Sequence, residues 1–268
     1  MDRSVACDTR TAYDELAHVY DGLTAHHDHE RWLALLLEVA RAHGLAGRRL
    51  LDVGCGTGKS FMPLVRRGFD VTACDISPRM AARARRRARG HGVVVHVADM
   101  RRLPQLCEGA DLVTCLDDAV NYLLDGDELR AGLCGMGLNL RPGGLLLFDV
   151  NTLATYRAVF CEGLSWRAGA HTYDSLGEPR AVTAGGLFAT TLRARTGANV
   201  LAQSRHVQRH HPAGELEQAL LAAGMEPLAV YGSGADGAPV RPPDEQRHTK
   251  LIVVARRPPV SPSSRERR

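Results

Sequence analysis

The spacing of apolar positions changes along the chain, and the changes divide it. Between residues 11 and 46 they recur at helical intervals. Tyr13, Leu16, Ala17, Tyr20 and Leu23 make one apolar stripe; Trp32, Leu35, Leu36, Val39 and Ala40 make a second, stopped by Gly44. From residue 49 the pattern becomes short apolar runs separated by helical stretches. Runs at 50–53, 69–74, 93–97, 111–116 and 145–150 predict five buried strands. Helical spacing at Phe61, Met62, Leu64 and Val65, over 78–89, and at Leu129, Leu133 and Leu138 fills the gaps between them. Such alternation argues for a parallel sheet with helices on both faces and a ligand site at the carboxyl ends of the strands.

The alternation breaks after Asn151. A short helix over 153–160 is followed by polar and apolar alternation at 165–173, 183–193 and 200–210, punctuated by Gly177-Glu178-Pro179 and Thr196-Gly197-Ala198. This predicts a small antiparallel insertion. On its last piece His206, Gln208 and His210 share one face. Pro212 then opens a helix through Leu216, Ala219, Leu220 and Ala223, closed by Gly224. Runs at 228–231 and 251–255 give a sixth and a seventh strand around a Gly/Pro-rich loop at 232–248. The predicted fold is α/β: a Rossmann-like seven-stranded, mostly parallel sheet with helices on both faces and a small antiparallel insertion after the fifth strand.

Composition narrows the function classes. The chain has 268 residues and a net charge of +4, too small to indicate nucleic acid by itself. Six arginines on 78–89 surround that helix without interleaved aromatics, which reads as a solvated face. Seven scattered cysteines include no C-x-x-C pair, so no metal site and no disulfide framework are expected. Residues 1–10 are polar, and no apolar run approaches the roughly 20 residues of a membrane span. A cytoplasmic protein, monomer or homodimer, with no membrane partner is the expectation.

The chemistry concentrates in Asp52-Val53-Gly54-Cys55-Gly56-Thr57-Gly58-Lys59-Ser60, a strand running into a glycine turn and then a helix. Glycines there let a backbone approach a nucleotide-like ligand. The dinucleotide fingerprint G-x-G-x-x-G fits imperfectly. Gly58-Lys59-Ser60 matches the end of a P-loop, but the first P-loop glycine falls on Val53. Asp75 ends the second strand about twenty residues on, where a carboxylate can accept from both ribose hydroxyls. Asp99 follows the third strand; it suits an adenine amino group, with the Met100 amide on a ring nitrogen, or equally a helix N-cap. Tyr20-Asp21 with His26, His27 and His29 reads as a surface loop or as a lid.

Four motifs in order carry a resemblance: Leu51 to Gly58, Asp75-Ile76-Ser77, Ala98-Asp99-Met100-Arg101, and Arg141-Pro142-Gly143-Gly144-Leu145-Leu146. Over residues 11–256 the chain resembles the class I S-adenosylmethionine (SAM)-dependent methyltransferases, whose turn is acid-x-G-x-G-x-G. With Asp117 to Leu123, Phe148-Asp149-Val150 and His206 to Arg209, it is most similar to bacterial small-molecule methyltransferases, often of amino sugars or antibiotic precursors. The resemblance implies 1–46 as a helical lid, 47–151 as a SAM-binding core, 152–211 as an insertion shaping the acceptor pocket and 212–256 as the end of the core; the Pro/Ser/Arg-rich composition of 257–268 predicts a disordered tail. It implies that Gly54, Gly56 and Gly58 lie against the methionine part of SAM and that Asp52 helps to hold its amino group. It gives the ribose to Asp75, next to Ile76, and the adenine to Asp99 and Met100. Leu116 and Asp117 would flank the sulfur, with Tyr13 and Tyr20 as lid residues. Histidine suits proton transfer near neutral pH, so His206, His210 and Asp117 are the candidate catalytic groups. The expected reaction is methyl transfer to an amine or hydroxyl of a small molecule. The alternatives are a methyltransferase of RNA or protein, a non-catalytic SAM-binding module, and a P-loop NTPase.

Overall fold

The computed structural model describes residues 8–234 and 236–259. Residues 1–7 of the expected lid and 260–268 of the expected tail lie outside the described residues. Helices α1 (Thr9–Leu16), α2 (Tyr20–Leu23) and α3 (His29–Ala42) precede β1 (Arg49–Val53). Then come α4 (Met62–Arg66), β2 (Asp70–Asp75), α5 (Pro78–Arg87), β3 (Val94–Val97), β4 (Ala110–Cys115), α6 (Gly126–Asn139) and β5 (Leu140–Asn151). After α7 (Leu153–Thr155) come β6 (Leu164–Ala168), β7 (His171–Gly177), β8 (Leu187–Thr196) and β9 (Asn199–Arg209). The chain closes with α8 (Ala213–Ala222), β10 (Glu226–Ser233), β11 (Pro239–Val240) and β12 (Lys250–Arg256).

The main sheet runs β11-β10-β12-β5-β4-β1-β2-β3. The seven expected strands are all in it, and the two residues of β11 add a short eighth at the edge. Neighbours among β1 to β5 are parallel, and β12 enters antiparallel between β5 and β10. Both faces are covered, which is why the strands read as continuous apolar runs. On one face Leu50, Val71, Leu112, Leu147 and Ile252 pack with Leu33, Leu36, Leu64 and Ala84 of the α3, α4 and α5 layer. On the other, Leu51, Val113, Phe148 and Val253 meet Leu129, Leu133, Leu216 and Leu220 of α6 and α8. Each fully buried Leu or Val contributes about 1.5–3 kcal/mol relative to exposure. Asp8, Asp28, Ser77 and Asp125 cap the starts of α1, α3, α5 and α6 with their side chains.

The insertion is a separate antiparallel sheet, β6-β7-β8-β9. It has four strands where the alternation suggests three. The piece read as one strand over 165–173 is a hairpin that turns at Gly169 (φ +59°), pairing Ala168 with His171. A two-residue loop with glycine first is a tight hairpin turn, and here polar and apolar residues alternate across it from Ser165 to His171. The first helical stripe is also broken, between α1 and α2. Leu16, Val19 and Leu23 dock on Tyr173, Ala194 and Ala202 of the inserted sheet, so tertiary packing sets the bend. Tyr156 stacks on Phe188 of β8, 4.4 Å between ring centres, and fixes the other end of the insertion. Among the described residues no helix is long and apolar enough to cross a membrane.

Candidate functional site

A cleft opens where β1, β2, β3 and β4 end. It is lined by Tyr13, Tyr20, Gly54, Gly56, Asp75, Ile76, Asp99, Met100, Leu116, Asp117 and Tyr122, with His29 and Lys59 at its sides. Gly54 and Gly56 turn through left-handed backbone (φ +72° and +53°), which brings main chain rather than side chain to the cleft wall. Gly58 (φ +86°) does not line the cleft; a Cβ there would stand 2.7 Å from the Phe61 ring, so its role is to let the turn pack against Phe61 at the start of α4.

Three carboxylates lie at or under this rim, each held differently. Asp75 is 7% exposed. One of its oxygens accepts from the Gly56 amide and the other from the Ser77 amide, both at 2.8 Å. Each oxygen keeps a lone pair free, so a vicinal diol fits against it. Burial pushes its carboxyl up to about 6, against the two amide donors that favour the charged form. Asp52 lies beneath the cleft instead of lining it. Its oxygens accept from Ser60 and Thr114 hydroxyls at 2.6 Å, and burial raises it to about 6 as well. Asp99 caps the short turn at Met100–Arg102 and is clasped by Arg101. Burial works to raise its carboxyl, but the Arg101 hydrogen bonds outweigh that and hold it below the ordinary value.

The fourth corner is Asp117-Asp118, just past β4. Both residues have positive φ (56° and 53°), the only such non-glycine residues described. The conformation costs of order 1 kcal/mol or more per residue and needs support. Buried Asp149 supplies it by accepting the Asp117 amide at 2.7 Å and the Asp118 amide at 3.1 Å. Lys250 bridges Asp118 (2.5 Å) and Asp149 (2.8 Å), and its ammonium is held well above the usual lysine range despite burial. Gln208 donates to Asp118 at 2.6 Å. The Asp117 carboxylate faces His29 Nε2 at 3.1 Å and His27 Nδ1 at 3.3 Å. Burial alone would raise it; these neighbours and Lys250 bring it down to about 2.

Of the residues expected to act, Tyr13, Tyr20, Gly54, Gly56, Asp75, Ile76, Asp99, Met100, Leu116 and Asp117 meet in one cleft, while Asp52 and Gly58 stand behind its wall. His206 and His210 do not line it. His206 is buried behind Tyr122, with Nδ1 on the Tyr122 hydroxyl (2.9 Å) and Nε2 on Ser204 (2.9 Å); burial lowers it to about 4. His210 is buried elsewhere, 2.5 Å from Glu245 and taking the Gly185 amide. The inserted sheet, expected to shape an acceptor pocket, lines neither this cleft nor the neighbouring one. That second cleft is bounded by His26, His27, Trp32, Asp117, Asp236 and Lys250, so Asp117 is the wall between the two.

Lys59 bonds the Thr24 carbonyl (2.9 Å) and hydroxyl (3.0 Å), and Ser60 is taken by Asp52, so the P-loop ending is committed internally. The arginine helix is less solvated than expected: Arg85 holds the Val95 carbonyl, and Arg87 holds Asp21 and Thr57. Sequence reasoning places His29 in a loop or lid without pairing it with Asp117, and assigns no role to Asp149 or Lys250. One signal is available, since Lys250 is one of two lysines and opens an otherwise apolar strand.

Residues 50–144 match the family described as methyltransferase domain. A provisionally named methyltransferase of Geobacillus sp. (strain WCH70) is 34% identical over 148 residues, 54% of this chain and 59% of the relative. The chain thus spans less than two thirds of the length of the first curated relatives it matches. A SAM-dependent methyltransferase structure from Clostridium acetobutylicum ATCC 824 superposes with a TM-score of 0.75 at 21% identity, covering 92% of this chain and 99% of the other, a likeness of fold. The SAM-bound structure of CalS10, an amino pentose methyltransferase of calicheamicin biosynthesis from Micromonospora echinaspora, gives a TM-score of 0.66 at 27% identity, over 90% and 95% of the two chains. The glycine turn and these likenesses agree: residues 50–144 match a methyltransferase domain, and the chain resembles the SAM-dependent methyltransferases.

Proposed function

We propose that this protein methylates an amine of a small molecule, of the kind found in amino sugars and natural-product intermediates, with a hydroxyl acceptor as the second choice. The observation that carries the reading is the Asp75 carboxylate, fixed by the Gly56 and Ser77 amides at the mouth of a glycine-walled cleft. The ribose hydroxyls belong on its two free lone pairs. Asp99 and Met100 belong with the adenine, and the Gly54–Gly56 backbone with the methionyl end. Bound SAM supplies a methyl on a sulfonium leaving group, so the acceptor needs only a lone pair held in line.

Asp117 stands between the two clefts, which makes the second one the natural seat of the acceptor. A carboxylate held near 2 is a weak base. Its contribution is a fixed negative charge that draws in a basic acceptor, which gives its ammonium proton to solvent before the freed lone pair attacks the methyl, and this favours an amine over a hydroxyl. His206 acts on the cleft only through Tyr122, as a neutral partner that orients the tyrosine hydroxyl. The amino pentose acceptor of CalS10 supports the same substrate class.

The test is calorimetry with SAM and with ATP, followed by mass detection of a methyl gain on matched amino-sugar and hydroxyl-sugar acceptors. SAM binding and methylation of the amine are expected. ATP binding without SAM binding would overturn the reading. So would methylation confined to RNA or protein.

A further inference from the structure

We propose that His27, His29 and Asp117 form a binding site for a divalent transition-metal ion at the junction of the two clefts. One ligand atom from each residue lies within 4.8 Å of the others. The Asp117 oxygens stand 3.3 Å from His27 Nδ1 and 3.1 Å from His29 Nε2. Two ligands about 2.0–2.1 Å from a tetrahedral zinc ion are about 3.3 Å apart, so these spacings suit an ion held in common.

The hydrogen bonding of His29 is a second, independent indication. Its Nδ1 faces the His27 carbonyl at 3.0 Å, and its Nε2 faces the Asp117 carboxylate at 3.1 Å. Both ring nitrogens therefore meet acceptors. A neutral imidazole carries one N–H, so one contact sets a lone pair against an oxygen. A ring that gives its Nδ1–H to a backbone carbonyl and turns Nε2 inward has the arrangement of a metal-bound histidine. A cation between Nε2 and the carboxylate removes the conflict. His27 converges on the same carboxylate with its ring 4.3 Å from that of His29, where two imidazolium ions would repel.

The surroundings fit a dication. The carboxylates of Asp117, Asp118 and Asp149 gather around the one ammonium of Lys250, an excess of two negative charges. Asp149 fixes the Asp117 backbone by accepting its amide, so the carboxylate is held in place in advance. Two imidazoles and one carboxylate select a borderline ion such as zinc or cobalt over magnesium or calcium. His29 and Asp117 line the first cleft, and His27 and Asp117 the second, so further coordination positions open toward both. Sequence spacing gives no hint of this, because His27 and His29 lie 88 or more residues from Asp117.

The test is a titration of the full-length protein with Co2+, followed by visible absorption, with Zn2+ competition by calorimetry. One equivalent is expected to bind with the visible band of a nitrogen–oxygen site, and Zn2+ should displace it. His27→Gln, at the partly exposed ligand, and Asp117→Asn should each weaken binding about 100-fold, while His171→Ala, remote on the inserted sheet, should change nothing. An unchanged circular-dichroism spectrum and melting transition in the variants show that they fold. Co2+ binding that survives both ligand changes overturns the site, as does the lack of any band or heat at millimolar metal. SAM binding by the unsubstituted protein is read separately, so a failure of the methyltransferase reading is distinguishable from a failure of this one.

Discussion

The cleft has two sides that solve one problem in different ways. At the rim built by β1, β2 and β3, each acidic group has at least one holder within eight residues of it in the chain. Asp75 is held by Gly56 and Ser77, Asp52 by Ser60 and, across the sheet, Thr114, and Asp99 by Arg101. At the Asp117–Asp118 corner every holder comes from far away: His29 from the first helices, Asp149 from β5, Gln208 from the insertion and Lys250 from the last strand. The rim is a local device with small parts. The corner is a global one, and it should fail globally.

The comparison breaks most visibly at Lys250. Replacing it with methionine leaves buried Asp149 and partly buried Asp118 without their cation, at an expected cost of about 3–5 kcal/mol. Urea unfolding monitored by circular dichroism checks this, and a loss below about 1 kcal/mol would make the corner as local as the rim. Asp75→Ala should behave the opposite way. It should lower SAM affinity about tenfold to a hundredfold, through lost charge-assisted hydrogen bonds of about 1.5–3 kcal/mol, with a smaller loss of fold stability. Unchanged affinity in calorimetry would remove the ribose assignment.

A pH series sharpens the contrast further. Asp75 titrates near 6 in the fold, so SAM affinity should be flat above pH 7 and fall as pH drops through about 6, where protonation removes an acceptor. Asp75→Asn should flatten that profile. Asp52 is raised from 3.8 to about 6 as well, so between those values the folded protein keeps a proton that the unfolded chain has lost. Fold stability should therefore decline, not rise, as pH increases through that window. Asp117 has the opposite sign: its stabilisation is complete above the ordinary aspartate value and is lost as pH falls toward about 2. The smallest effect belongs to the arginine helix. Arg83 stands 3.9 Å from Asp21, and Arg83→Ala should change stability by no more than about 0.5 kcal/mol, with SAM affinity unaltered. A large loss of RNA binding in that variant would revive the nucleic-acid reading.

The same division explains what the sequence discloses. Period-two and period-3.6 patterns, an acid-terminated strand and a glycine turn are short-range signals, and they locate β1 to β5, Gly54, Gly56 and Asp75. Resemblance places Asp117 at the cleft but not its partners, since nothing near it in the chain points to His29 or Lys250. His206 and His210 share a strand face with Gln208, and alternation alone cannot show that this face turns into a buried hydrogen-bond network. The hairpin at Gly169 is hidden because its two-residue loop continues the alternation of its arms.

Lys250 sits on β12, the last strand of the described fold, yet it completes the corner just past β4. During synthesis the glycine rim can form while the ribosome is still making the second half of the chain. The Asp117–Asp118 bend gains its cation only after β12 has threaded between β5 and β10. A nascent or truncated product ending before residue 250 would hold the glycine rim beside an unfinished corner.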